Sequence, residues 1–136
     1  MARILIVEDT PANMLLAGTI LQNAGHTLLQ ATDAPLGLAL AQEHQPDLVL
    51  MDIQLPGMDG LAATRALKAD ERTQDIPVLA LTAFAMKGDE ERMRAAGCAA
   101  YVAKPLRYQQ LLAAVDGLLA HDVANDDATK QEGVGS

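Results

Sequence analysis

Between Asp47 and Asp52 lies Leu48-Val49-Leu50-Met51, and past Asp52-Ile53-Gln54 the chain breaks at Leu55-Pro56-Gly57-Met58-Asp59-Gly60. A strand that is apolar at every position is buried on both faces, which places it inside a parallel sheet covered by helices. Open sheets of that kind collect their chemistry at the carboxyl ends of the strands. Three other apolar runs end in polar residues too: Ile4-Leu5-Ile6-Val7 in Glu8-Asp9, Val78-Leu79-Ala80-Leu81 in Thr82, and Ala100-Tyr101-Val102-Ala103 in Lys104-Pro105. The repeated ending predicts four strand ends converging on one polar pocket.

Outward from that run the pattern alternates. Strands are predicted near 3–7, 27–31, 47–51, 78–82 and 100–103, and helices near 11–24, 34–44, 60–69, 86–96 and 107–119. Asn23-Ala24-Gly25 and Ala96-Gly97 read as helix C-caps, and Pro46 and Pro77 stand just before buried strands. Asp59 reads as the cap of the helix that follows it. Consecutive βα units with right-handed crossovers give an α/β fold, a doubly wound parallel sheet with helices on both faces. Thr27-Leu28-Leu29-Gln30-Ala31 is the most polar strand and the expected sheet edge. Residues 1–120 are expected to form one domain, and 121–136 an acidic, disordered tail with too little apolar area to offset its ordering entropy.

Composition narrows the function classes. The net charge of −8 argues against sequence-independent binding to nucleic acid or to an anionic membrane. No apolar run approaches the roughly 18 residues of a membrane span. Met1-Ala2-Arg3 leads into a strand rather than a signal peptide, so a cytoplasmic protein is expected. Cys98 is the one cysteine, which rules out an intrachain disulfide and suits a small buried hydrophobe.

Glu8, Asp9 and Asp52 bring three carboxylates to neighbouring strand ends. Like charges that close repel unless a cation intervenes, and Mg²⁺, with its few oxygen ligands and retained waters, suits them. One carboxylate would then serve as nucleophile toward a phosphoryl group, forming an acyl phosphate. That transfer needs charge neutralised on the equatorial oxygens, which Mg²⁺, an ammonium and a hydroxyl supply. Asp52 as acceptor with Lys104 and Thr82 meets those needs. Each residue alone has a plainer reading: a turn or helix cap for the Asp, a solvated charge for the Lys, a β-former for the Thr. Their joint placement is what carries the reading.

Across residues 1–120 the sequence resembles the receiver domains of two-component response regulators. The matching pieces are Ile4–Asp9, Leu50–Gly60, Ala80–Ala83 and Tyr101–Leu106. The resemblance implies a flavodoxin-like sheet in the order 2-1-3-4-5 and phosphorylation of Asp52 by a histidine kinase or histidine phosphotransfer protein. It further implies Mg²⁺ held by Glu8, Asp9, Asp52 and the backbone carbonyl of Gln54. Thr82 and Lys104 would contact the phosphoryl oxygens, Thr82 and Tyr101 would form the switch, and Lys104-Pro105 would be a cis peptide. Glu8 stands where Asp is commoner in the family, and its longer side chain would reach the ion through water. The stretch Thr82–Asp89 is similar to DivK-type single-domain response regulators and to hybrid-kinase receivers. The function implied is a phosphorylation-dependent protein-interaction switch with a downstream protein target. It is not an enzyme beyond its own phosphorylation and slow dephosphorylation.

Gln54 and Phe84, two residues past Asp52 and Thr82, are expected to tune the lifetime of the phosphate: an amide can orient water, an apolar ring cannot. On a helical wheel Leu16, Ala17 and Ile20 share the core face of the first helix. Leu15 then points outward beside a shallow gap at Gly18, as a docking point for the phosphodonor. Three other readings share part of this pattern. A receiver excised from a hybrid histidine kinase has the same motifs. A mononucleotide-binding α/β protein would need a Gly-rich phosphate loop where Glu8-Asp9-Thr10-Pro11 stands. A phosphatase with Asp52 as nucleophile would need a second acid where Gln54 stands.

Overall fold

A computed structural model describes residues 2–55, 57–83 and 87–120. The elements are β1 (Arg3–Val7), α1 (Pro11–Asn23), β2 (Thr27–Ala31), α2 (Ala34–His44), β3 (Leu48–Asp52), α3 (Gly60–Ala69), β4 (Val78–Thr82), α4 (Lys87–Ala96) and β5 (Ala100–Ala103). A last helix, α5, spans 108–120. The strands form one parallel sheet in the order β2-β1-β3-β4-β5, the flavodoxin-like arrangement, with the polar β2 at one edge.

Every residue of β3 and β4 is buried, as their apolar sequences require. Alternation sorts the side chains into two cores. Leu5, Val7, Val49, Met51, Val78 and Ala80 pack on the face covered by α2, α3 and α4, through residues such as Ala41, Leu67 and Met93. Ile4, Ile6, Leu48, Leu50, Leu79 and Leu81 pack on the other, against α1 and α5 through Ala17, Leu21, Leu111 and Val115. Cys98 is buried with its Sγ 3.9 Å from Thr64 Oγ1, and burial pushes its thiol pKa up, so it packs as an inert hydrophobe. Among the described residues no helix is long and apolar enough to cross a membrane.

The helices start where the sequence signals them. Asp33 and Asp59 cap α2 and α3 by accepting the N–H groups of Leu36 at 2.8 Å and Ala62 at 2.7 Å. After α4 the chain turns at Gly97 with φ of 108°, a left-handed conformation suited to glycine.

Two expectations need correction. β3 runs one residue later than predicted: Asp47, bonded to Arg3 through both its own N–H (to Arg3 O, 2.8 Å) and its carboxylate (from the Arg3 N–H, 2.8 Å), stands just before the strand. Asp52 is therefore the last strand residue, in register with Leu81. In α1 the buried stripe is Met14, Ala17, Gly18, Ile20 and Leu21, and Leu16 is exposed. Gly18 opens no gap beside Leu15. It faces β2, where a Cβ would stand 3.3 Å from Leu28 and Gln30 side-chain atoms. Leu15 does point to solvent, 71% exposed. The tail 121–136 and Phe84 lie outside the described residues.

Candidate functional site

β1 and β3 are neighbours with Val7 opposite Met51, so the next residues, Glu8 and Asp52, stand side by side. Asp9 joins them: the three carboxylates each place an oxygen within 4.8 Å of the others. Glu8 and Asp52 are buried and Asp9 is exposed, so the cluster opens outward on the Asp9 side. Backbone contacts fix the geometry. The Glu8 N–H donates to Ala31 O at 3.0 Å, and the Thr10 N–H donates to Glu8 Oε2 at 3.2 Å.

Lys104 follows β5 and reaches back over the strand ends. Its own N–H donates to Thr82 O at 2.8 Å, anchoring it to β4, and its peptide to Pro105 is cis. The ammonium donates to Asp52 Oδ2 at 2.9 Å and lies 3.4 Å from Glu8 Oε1. Thr82, the last residue of β4, is buried at the same end of the sheet. Gln54 donates its N–H to Asp52 Oδ1 at 2.9 Å, while its side-chain Oε1 accepts the Ala83 N–H at 3.3 Å.

Gly60 completes the support, and sequence reasoning missed its role. A Cβ there would collide with the Asp52 carbonyl and the Ile53 Cα, so only glycine lets the start of α3 lie directly against the end of β3. The Gly60 N–H donates to Ile53 O at 3.2 Å. A glycine directly after an Asp cap was the available signal.

Burial, reinforced by the adjacent Asp52 carboxyl, pushes the Glu8 pKa up to about 7. Burial acts on Asp52 in the same sense but is outweighed by the adjacent Glu8 carboxyl, the Gln54 N–H and the Lys104 ammonium, which hold its carboxyl below the usual range. Burial would lower Lys104; its carboxylate partners raise it instead, so it stays an ammonium. Glu8 Oε1 is buried without a hydrogen bond. A buried carboxylate oxygen lacking a donor, within a cluster of hard oxygen ligands, fits a hard divalent cation.

Tyr101 is half-buried and pairs with Ala80, so it faces the α3–α4 side of the sheet in line with Thr82 two residues on. It lines a cleft of about 200 Å³ with Met93, Arg94 and Cys98. Leu15 lies on α1, outside the carboxylate cluster.

The geometry agrees with comparison to known proteins. Residues 4–116 match the response regulator receiver domain. The chain belongs to that family. It is 46% identical over 116 residues to the polar-differentiation response regulator DivK of Brucella ovis, covering 85% of this chain and 94% of that protein. The receiver domain of a sensor histidine kinase from Pseudomonas aeruginosa, solved with a magnesium ion coordinated in its active-site cleft, superposes with a TM-score of 0.82 at 34% identity. That alignment covers 88% of this chain and 98% of the other. A chemotaxis protein of Vibrio cholerae gives a TM-score of 0.83 at 26% identity, covering 87% and 98%. This receiver is thus a response regulator module of two-component signalling, and its strand-end pocket lies where its fold concentrates chemistry.

Proposed function

We propose that this receiver accepts a phosphoryl group on Asp52 from a phosphohistidine donor, a histidine kinase or a histidine phosphotransfer protein, and that phosphorylation controls binding to a downstream protein. The supporting observation is the carboxylate cluster within 4.8 Å in which Asp52 is held by Lys104 while a buried Glu8 oxygen makes no hydrogen bond. An Asp52 oxygen attacks phosphorus, the P–N bond of the donor breaks, and its electron pair returns to the imidazole. Glu8, Asp9, Asp52 and the Gln54 carbonyl would hold Mg²⁺, which when bound neutralises charge on the phosphoryl oxygens. Lys104 and the Thr82 hydroxyl contact those oxygens. Asp52 accepts two hydrogen bonds, from Gln54 and Lys104, so its carboxylate is oriented before the donor arrives.

The identity with DivK over nearly all of that protein favours a response regulator of this kind over a receiver within a hybrid kinase. Thr82 and Tyr101, with α4, form the output switch, and Gln54 and Phe84 set the phosphate lifetime. Leu15, exposed on α1, contacts the donor. Intact mass after incubation with acetyl phosphate and Mg²⁺ tests the acceptor. One added phosphate is expected, absent in EDTA and in Asp52→Ala; a gain that persists in either control contradicts the assignment.

A further inference from the structure

β2 forms one edge of the sheet and pairs only with β1. The Thr27 N–H donates to Ala2 O at 2.9 Å, and Ala31 O accepts the Glu8 N–H at 3.0 Å, so residues 27, 29 and 31 turn their backbone groups toward β1. Strand geometry alternates, and Leu28 and Gln30 therefore turn their N–H and C=O groups outward. Native edge strands are ordinarily blunted by charge, proline, a bulge or a covering segment. Thr27-Leu28-Leu29-Gln30-Ala31 has neither charge nor proline.

Leucines flank this edge on both faces of the sheet. On one face Gly18 of α1 lies over Leu28 and Gln30, and Leu15, one turn earlier on the same helix surface, is exposed beside it. On the other face Gln42 of α2 reaches toward α3, donating to Asp70 Oδ2 at 3.1 Å. The opposite flank of α2, with Leu36 and Leu40, therefore looks toward β2. Leu36 is exposed, and Leu40 packs half-buried in the same core as Leu29. α1 has no charged residue at all. The far edge of the sheet is different, since β5 is rimmed by the ion pair of Glu90 and Arg94 on α4.

We propose that β2 is a docking edge for a second copy of this chain, the two β2 strands pairing antiparallel about a twofold axis at Leu29. Symmetry and charge select that occupant. With Leu29 opposite its own copy, Leu28 stands opposite Gln30 of the partner subunit, and the outward groups of each such pair exchange two N–H···O=C bonds. Leu28 and Gln30 lie on the α1 face and Leu29 on the α2 face, so apolar side chains meet on both sides of the joined sheet. Asp33 falls opposite Gly25 of the partner subunit, and His26 opposite Thr32 of the partner subunit. No charge on or beside the strand meets a like charge. Chains of net charge −8 repel one another, and an uncharged edge lets two copies meet with least repulsion.

Sedimentation velocity of the full chain, over a series from about 10 μM to about 1 mM, reads the pairing. Wild type is expected to pass from the mass of one chain, 14.4 kDa, to twice that mass. Across the same series, amide exchange followed by NMR should slow about threefold or more at Leu28 and Gln30 and stay unchanged at Thr27 and Leu29. Gln30→Pro removes an outward N–H that β1 does not use. Leu36→Glu puts like charge on the α2 flank and, three residues after the Asp33 cap, still suits the start of that helix. Each variant should raise the dissociation constant about tenfold or more, with far-UV circular dichroism unchanged. If Gln30→Pro fails to fold, Leu36→Glu decides. A monomer at every concentration overturns pairing with a second copy and leaves the edge to a strand of another protein. A dimer whose Leu28 and Gln30 amides exchange as in the monomer, or that Leu36→Glu leaves intact, overturns β2 as its site.

Discussion

Glu8 combines complete burial, an oxygen without a hydrogen bond and a pKa pushed up to about 7 from an ordinary 4.5. Because the folded value is the higher one, the folded protein binds this proton more tightly than the unfolded chain. Its contribution to stability is fully present below pH 4.5 and is lost as the pH rises through about 7. Metal-free protein is therefore expected to melt at falling temperature across that window, and thermal melts in EDTA check it. Asp52 acts with the opposite sign: its pKa lies below the ordinary 3.8, so its contribution is lost only in more acid solution. Mg²⁺ must displace the Glu8 proton, so its affinity should rise over the Glu8 window, as calorimetric titrations at several pH values would show. Asp9→Asn removes one of the mutually repelling charges. It should raise the metal-free melting temperature by about 2–4 °C while weakening Mg²⁺ binding; a clear fall in that temperature would contradict the repulsion. These three acids were legible in the sequence because each ends an apolar run. The Gln54–Ala83 bond was not, since it depends on how two loops fold over adjacent strands.

Among the elements, β3 and β4 were the most legible, because a strand buried on both faces has no polar position to blur its limits. The one-residue shift of β3 lies at its ends: Asp47 precedes the strand, bonded to Arg3 through both its N–H and its carboxylate, and Asp52 closes it. α1 was harder to orient. Leu15, Leu16, Ala17, Ile20 and Leu21 leave little polar contrast around the helix, and packing on β2 chose Gly18 over Leu16 for the inside. The start of α3 carries a sharp prediction. Gly60→Ala forces a methyl against the Asp52 backbone, so the unfolding midpoint in urea should drop by an amount equivalent to about 1–3 kcal/mol, with slower labelling of Asp52. Stability equal to wild type would mean that α3 can shift away at no cost. On α1, Leu15→Asp should slow transfer from the histidine donor yet leave labelling by acetyl phosphate unchanged. Equal loss of both would indicate misfolding rather than a lost docking contact.

At the scale of the whole molecule, the sheet order carries the pocket, because only β1 beside β3 beside β4 brings Glu8, Asp52 and Thr82 to one end. Signalling requires two arrangements of the same fold, with phosphate favouring one of them. Thr82 and Tyr101 share a face of the sheet, so a pull on Thr82 is expected to alter the packing around Tyr101 and α4. Binding of the downstream protein should then rise with phosphorylation in wild type and stay flat in Thr82→Ala, measured by titration of both forms. All of this depends on a phosphoryl group attached to one carboxylate. The direct measurement is borohydride reduction of the phosphorylated protein followed by peptide mass spectrometry, since hydride cleaves an acyl phosphate and converts that aspartate to homoserine. Homoserine at position 52, and at no other acid, is the expected result. Reduction at Asp9 or elsewhere, or phosphate that resists borohydride, would contradict Asp52 as the acceptor.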